Sequence, residues 1–370
     1  MEIIDRIKGS LVGGAIGDAL GYPIEFLKIE SIKNKYGNNG ITEYELTNGK
    51  AIISDDTQMT LFTANGLMYG VTRGRMRGIM GPIESYVYMA YKDWYYTQYK
   101  SEEPKDYFFT TWLFDLKELN ERRAPGNTCL SALSNSEMGT IEKPINNSKG
   151  CGGVMRVAPV GLYFKPSDYM TLDRIGQTSA KISAITHGHP LGIIPAYVLA
   201  VLINDITYNE KQTLEEHVNN AMKCFKDNFK IFDNEYNKQF EKLIDKAIRL
   251  SKQNINDIDA INELGEGWVA EEALAIAIYS CLKYTSSFEK TVIAAVNHSG
   301  DSDSTGAIAG NIIGAYLGYN SIPKHYIDNL ELIDEIMEIA TDMSRYCPVD
   351  EYAENNDKDW LNKYVYRKRI

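Results

Sequence analysis

The sequence predicts an all-α protein, and three observations carry that expectation. No run of alternating apolar and polar residues marks a set of strands, whereas apolar residues recur at helical spacing through most of the chain. Two of these helical runs open on a cluster of hydroxyl and acidic side chains, as helix starts do. Two stretches also carry glycine every four residues: Gly9, Gly13, Gly17 and Gly21 near the start, and Gly306, Gly310, Gly314 and Gly318 near the end. That spacing draws a stripe without side chains down one helix face. Each glycine costs about 1 kcal/mol of helix stability relative to alanine, so four in register point to close backbone approach as the compensation. The two glycine helices are expected to touch along their rows at the centre of one domain, by packing of i±4 ridges.

Composition narrows the function classes. A net charge of -11 and a pI near 5.1, with no lysine or arginine run, exclude a nucleic-acid groove. Cys129, Cys151, Cys224, Cys281 and Cys347 are odd in number and scattered, with no CxxC pair, which fits reduced thiols better than disulfides or zinc. The glycine-rich N-terminal stretch carries Asp18 and lacks a small-x-small cleavage site. The longest apolar stretch, ISAITHGHPLGIIPAYVLAVLI, holds two histidines and two prolines and reads as a core helix; a membrane span needs about 20 mainly apolar residues. The expectation is a cytoplasmic monomer without nucleic-acid or membrane partners.

Taken in order, the first glycine helix ends at Tyr22-Pro23-Ile24-Glu25, where proline breaks the run and sends Glu25 into a loop. Residues 31 to 51 are rich in asparagine and glycine and read as loop, with a short strand at ITEYEL. Ser54-Asp55-Asp56-Thr57 then opens a helix that runs to Gly70. Taken alone, a serine followed by two acids is also what any helix N-terminus prefers, a side-chain cap and then negative charge at the positive dipole end. The same holds for Asp301, Ser302 and Asp303 ahead of the last glycine helix. The pairing is what points further: hydroxyl-Asp-Asp at one helix mouth and Asp-x-Asp-hydroxyl at another, with no soft ligand nearby, suit hard cations such as Mg²⁺, Mn²⁺ or Ca²⁺.

Residues 70 to 112 are dense in tyrosine and read as core plus a groove wall, and residues 121 to 128 as a turn feeding the helix CLSAL. Asn146 to Arg156 carries three glycines beside Ser148, Lys149 and Arg156; such a loop presents backbone N–H groups to a phosphate or is a plain glycine turn. Its spacing is neither a Walker loop nor a dinucleotide fingerprint. Cys151 reads as a space-filling residue ahead of a reactive thiol. His187 and His189 stand two apart, off one helix face, which argues against a zinc pair and for a cap or ligand-facing role for one of them. Residues 204 to 262 read as solvated peripheral helices, VAEEALAIAIYSCL after Gly265-Glu266-Gly267-Trp268 as a core helix, and residues 321 to 347 as helical. The domain is expected over 1–347, with 348–370 a polar and partly loose extension.

This constellation resembles the ADP-ribosylglycohydrolase family, over about Gly9 to Gly318. GAIGDALGYPIE is similar to the family's N-terminal helix and its following glutamate, SDDT and GDSDS to its two metal motifs, GCGGVMRVAPVGL to its ADP-ribose loop, and Thr186-His187 to a ligand-facing turn. The resemblance implies a compact single-domain orthogonal helical bundle with a central dinuclear metal cleft. It implies two Mg²⁺ ions, with Mn²⁺ an alternative, on Ser54, Asp55, Asp56, Asp301, Asp303 and Ser304. It implies ADP-ribose contacts from Ser148, Lys149, Gly150, Cys151, Gly152, Gly153, Met155 and His187. Asp56 or Asp303 is the expected acceptor of the water proton, with Glu25 gating or assisting. Serine stands where relatives more often have threonine at both hydroxyl ligands, and Lys149 where relatives carry an aromatic. The implied activity is metal-dependent hydrolysis releasing ADP-ribose from a modified protein side chain, arginine ahead of serine, or from a small conjugate. A binding or structural relative without turnover is the alternative; retention of all four aspartates favours the enzyme.

Overall fold

The computed structural model describes residues 1–100, 103, 107–167, 169–350 and 357–366. In chain order the helices are α1 (Ile3–Gly21), α2 (Ile29–Tyr36), α3 (Asp55–Arg77), α4 (Ile83–Gln98), α5 (Asn127–Ser134), α6 (Ala158–Tyr163), α7 (Leu172–Ala184), α8 (Pro190–Tyr208), α9 (Leu214–Asn228), α10 (Asn234–Ser251), α11 (Asp257–Leu264), α12 (Ala270–Lys283), α13 (Phe288–Val296), α14 (Ser302–Leu317), α15 (Lys324–Asp328), α16 (Ile333–Arg345) and α17 (Lys358–Tyr364). Among the described residues the sheet content is one antiparallel hairpin, Leu46–Thr47 with Lys50–Ala51. The fold is all-α.

Its axis is the crossing of α1 and α14, antiparallel and in register. A Cβ on Gly9 would overlap the carbonyl oxygen of Gly314, one on Gly13 would lie 2.5 Å from that of Gly310, and one on Gly17 would overlap that of Gly306. The reverse holds for Gly306, Gly310 and Gly314 against α1. Backbone meets backbone, so no side chain larger than hydrogen fits, and the helix propensity lost at each glycine is offset by packing that only glycine allows. Two reciprocal bonds lock the register: Ser10 Oγ donates to Asn311 O and Asn311 Nδ2 to Ser10 O, each at 3.0 Å. Gly318 stands outside the row, ending α14 at φ +81° against Asp5. The antiparallel crossing brings the C-terminal end of α1, and with it Glu25, to the N-terminal mouth of α14.

The same device recurs where the sequence predicts a helix stop. Gly70 does not end α3; the helix continues to Arg77 because Gly66, Gly70 and Gly74 form a third four-residue row that receives Val87, Tyr86 and Met80 from α4 and the turn before it. Gly78, at φ +65°, is the terminator. Two further expectations shift. The segment read as loop contains α2 through Tyr36, whose Ile32 is buried, and its strand lies at Leu46–Thr47 rather than along ITEYEL. The C-terminal extension carries α17, docked on α3 by the buried Trp360, whose indole N–H donates to Thr72 Oγ1 at 2.9 Å. Residues 351–356 and 367–370 of that extension lie outside the described residues.

Helix α8 is long and apolar enough to cross a membrane, yet 94% of its apolar window is buried inside this fold. It packs on α6, α7, α9 and α12 and forms the second pillar of the core. Helices α9 and α10 are amphipathic and peripheral, α9 opening on a complete Thr213–Glu216 capping box and α10 burying Phe240, Ile244, Ala247 and Leu250.

Candidate active site

The two acidic helix mouths face one another across a cleft of about 360 Å³. From α3 and α14 it takes Asp55, Asp56, Asp301, Asp303 and Ser304, and from the turn after α1 it takes Glu25. The opposite wall is the glycine loop, with Gly150, Cys151, Gly152 and Met155, backed by His187. A larger groove of about 840 Å³ beside Ile3 and Tyr163 has no carboxylate in its lining, so chemistry rather than size singles out the acidic cleft.

Helix α3 begins where it does because its first N–H groups find acceptors. Ser54 Oγ caps it, accepting from Asp56 N at 3.1 Å. Asp18, projecting from α1, accepts from Ser54 N at 3.0 Å and from Thr57 N at 3.1 Å, and also takes the Thr57 hydroxyl proton. Asp301 likewise caps α14, accepting from Ser304 N at 3.3 Å, and its other oxygen takes the Cys151 thiol proton. Capping therefore explains Ser54 and half of Asp301, but not the remaining acids. Asp56 Oδ2 and Glu25 Oε2 are buried without a hydrogen-bond partner. One oxygen each from Glu25, Asp301 and Asp303 lie within 4.8 Å of one another.

Burial and mutual repulsion hold these acids far from their ordinary values. Burial first, then the charges of Asp301, Asp55 and Asp18, push Glu25 up to about 9. Burial outweighs the Gly126 N–H on Asp55 and lifts it to about 8. Asp56 and Asp303 stand well above the carboxylate range, from burial and then from neighbouring acids. Crowded carboxylates with orphaned oxygens are a donor set for a hard divalent cation, whose charge would relieve the repulsion; the Cys151 sulfur beside Asp301 stays a thiol, since burial and then the Asp301 charge push it well above its ordinary value. Glu25, Asp301 and Asp303 could hold one such ion, and the orphaned oxygen of Asp56 could contribute to a second.

The glycine loop is fixed from both flanks. Cys151 N donates to Trp268 O at 3.2 Å, Ala270 N to Lys149 O at 2.9 Å, and His189 N to Ser148 O at 3.2 Å. Cys151–Gly153 form a 3-10 turn whose leading N–H groups have no acceptor within the turn. A Cβ on Gly152 would come within 3.0 Å of Cys129 Sγ and His187 Cε1, so its bareness is what lets the imidazole stand against the loop. Three residues of this set point elsewhere. Ser148 Oγ accepts from Gly150 N and meets Thr128 Oγ1, Gly153 packs inward on Ser183, and Lys149 turns away from the cleft to pair with the buried Glu271.

Several residues of the cleft carry no sequence signal of their own. Phe26 and Trp268 stack across the rim, ring centroids 5.6 Å apart and planes within 19°. Trp268 follows Gly267, whose φ of +83° and contact with Thr305 set the loop against α14. Asp18 reads in sequence as a stray acid within a glycine helix, since the donors it serves lie 36 and 39 residues away. Arg156 is fully buried behind the loop, its guanidinium over the Tyr91 ring at 4.4 Å.

Comparison with known proteins closes the matter of kinship. An uncharacterized protein of Archaeoglobus fulgidus is 26% identical over 347 residues, 91% of this chain and 95% of that one. The ADP-ribosylarginine hydrolase Tri1 of Serratia proteamaculans is 26% identical over 362 residues, 95% of this chain and 82% of its own. A solved chain from an ADP-ribosylglycohydrolase-related protein complex shares the fold at a TM-score of 0.57 and 21% identity, covering 93% of this chain and 99% of that one. The family model for ADP-ribosylglycohydrolase matches residues 1–353, and the chain belongs to that family.

Proposed function

We propose that this protein is a metal-dependent hydrolase that cleaves the glycosidic bond between ADP-ribose and a modified side chain, with arginine conjugates favoured over serine. The observation that carries the reading is the meeting, in one cleft, of orphaned buried carboxylates with a glycine loop suited to phosphate. Arginine is favoured because acids crowd the cleft, which suits a guanidinium leaving group, and because a relative of nearly full length is named for that linkage. The metal ligands in this reading are Ser54, Asp55, Asp56, Asp301, Asp303 and Ser304, with Glu25 adjoining.

Divalent cations bound there, Mg²⁺ or Mn²⁺, supply ribose-hydroxyl coordination and a water of lowered pKa. The residues do the rest. Asp56 or Asp303 would accept the proton of the attacking water, with Glu25 assisting, once bound cations have relieved the repulsion that raises all three acids. The Cys151–Gly153 turn offers the diphosphate the N–H groups of Gly152 and Gly153, that of Cys151 being held by Trp268 O. Phe26 and Trp268 cover the rim and limit water around an anomeric carbon that gains oxocarbenium character. Release of ADP-ribose from ADP-ribosyl-arginine, ADP-ribosyl-serine and O-acetyl-ADP-ribose, each with Mg²⁺ and with chelator, tests the proposal. Metal-dependent release, fastest from arginine, is expected; tight ADP-ribose binding without turnover of any conjugate would mark a binding module instead.

A further inference from the structure

A buried hydrogen-bond relay runs from Arg156 to the cleft, and one member fixes its direction. The Arg156 guanidinium has donors only. Its Nη2 donates to Thr186 Oγ1 at 2.6 Å, and Thr186 Oγ1 lies 2.8 Å from His187 Nδ1. All three side chains are buried, and the hydrogen-bond partners of the Arg156 guanidinium among the described residues are Met59 Sδ, Cys129 Sγ and Thr186 Oγ1, none of them a carboxylate. Having accepted from Arg156, the threonine hydroxyl still has one proton to give. Its neighbours are the imidazole nitrogen and the Cys129 sulfur, and sulfur is a weak acceptor. The Nδ1 lone pair also faces the guanidinium charge, which opposes placing a proton on that nitrogen.

We propose that Arg156 and Thr186 are positioning residues that hold His187 as its Nε2–H tautomer, making it a hydrogen-bond donor to an anionic oxygen of the substrate at the glycine loop. The geometry aims the donor correctly: Nε2 lies 3.4 Å from where a Cβ on Gly150 or on Gly152 would stand, against the loop that lines the cleft. Burial, and then the Arg156 charge, hold the imidazole down to about 3, so the ring is neutral and has one N–H to place. The opposite tautomer would turn a lone pair toward the diphosphate and repel it. The relay thus converts a buried positive charge, too deep to touch a ligand, into a correctly directed neutral donor. The identity of the anion rests on the proposed function; the tautomer does not.

The test is a long-range ¹H–¹⁵N correlation spectrum of the full chain labelled at histidine, with Mg²⁺ present, and with the His187 signals assigned by their loss in His187→Asn. The wild type is expected to show the proton on Nε2. Thr186→Val, which keeps the shape and removes the hydroxyl, is expected to populate the Nδ1–H form. It should also weaken ADP-ribose binding by about tenfold, the scale of one hydrogen bond to a charged group. Thr186→Ser should restore both. A wild-type Nδ1–H spectrum overturns the proposal without recourse to any variant. So does a Thr186→Val protein with unchanged tautomer and affinity. An Nε2–H wild type that binds no ADP-ribose overturns the donor role through failure of the proposed function, while the relay itself stands.

Discussion

Asp18 and Asp56 serve the same helix start and both are out of water, yet only Asp18 has both oxygens occupied by donors. Its carboxylate takes the N–H groups of Ser54 and Thr57 and the Thr57 hydroxyl, and burial, opposed by those bonds, lifts it only to about 6. Asp93 is a second case: Thr110 and Thr111 amides at 2.7 and 2.8 Å and two hydroxyls surround it, and it too rises to about 6. Asp56 has an orphaned oxygen and acidic neighbours, and stands well above the carboxylate range. The lesson is that burial does not separate structural acids from functional ones. Donor occupancy does: a carboxylate the fold uses has its desolvation offset by N–H groups, whereas Asp56 and Glu25 each keep an orphaned oxygen and the one Ser304 N–H on Asp303 does not offset burial beside Asp56 and Asp301.

The largest expected effect tests that division through activity. Asp56→Asn and Asp303→Asn should each lower ADP-ribose release by at least about a hundredfold, as loss of a metal ligand does. Asp93→Asn should leave the rate per folded molecule within about threefold, because its donors belong to the scaffold. Single-turnover rates of the three variants decide it.

Next in size is the crossing that brings both kinds of acid together. Gly17→Ala would drive a methyl into the Gly306 carbonyl, and neither helix can give without parting the acidic mouths. A loss of about 3 kcal/mol, at the upper end for overpacking, is expected in denaturant melts. Mg²⁺ affinity should weaken alongside it.

Asp18→Asn is expected to cost about 2 kcal/mol with or without metal, since an amide NH₂ would face backbone donors. Asp93 adds a pH signature. Its ordinary value is 3.8 and the folded protein raises it to about 6, so the native state holds this proton more tightly than the unfolded chain does. Stability from this group is fully present below the unfolded value and is lost as pH rises through the folded one. The penalty of Asp93→Asn should therefore be larger at about pH 4.5 than at pH 7, by roughly 2 kcal/mol. Melts at the two pH values measure it.

Much of the architecture was legible because close packing leaves a sequence trace. The rows at Gly9–Gly21 and Gly306–Gly314 predict both the contact and its central place, and the two acidic helix starts meet at its end. The row at Gly66, Gly70 and Gly74 obeys the same rule but reads as a helix stop, since its partner offers side chains instead of glycines. Asp18, the Phe26–Trp268 stack and the turn of Lys149 away from the cleft onto Glu271 depend on partners far away in the chain, which no local pattern encodes. The docking of α17 escapes for a related reason: its anchors, the buried Trp360, Leu361 and Tyr364, are spread through a polar segment, and their partners Thr72 and Asp342 lie on distant helices.

In the proposed function the cleft acids are held for a cation and the scaffold acids are not. Melting curves of wild type, Asp56→Asn, Asp303→Asn, Asp18→Asn and Asp93→Asn, each with Mg²⁺ and with chelator, test it most directly. In chelator the two cleft variants should melt at or slightly above wild type, because repulsion is relieved, while their gain on adding Mg²⁺ should shrink or vanish. The two scaffold variants should melt lower in both conditions and keep the full Mg²⁺ gain. Equal Mg²⁺ shifts in all five proteins would contradict the account.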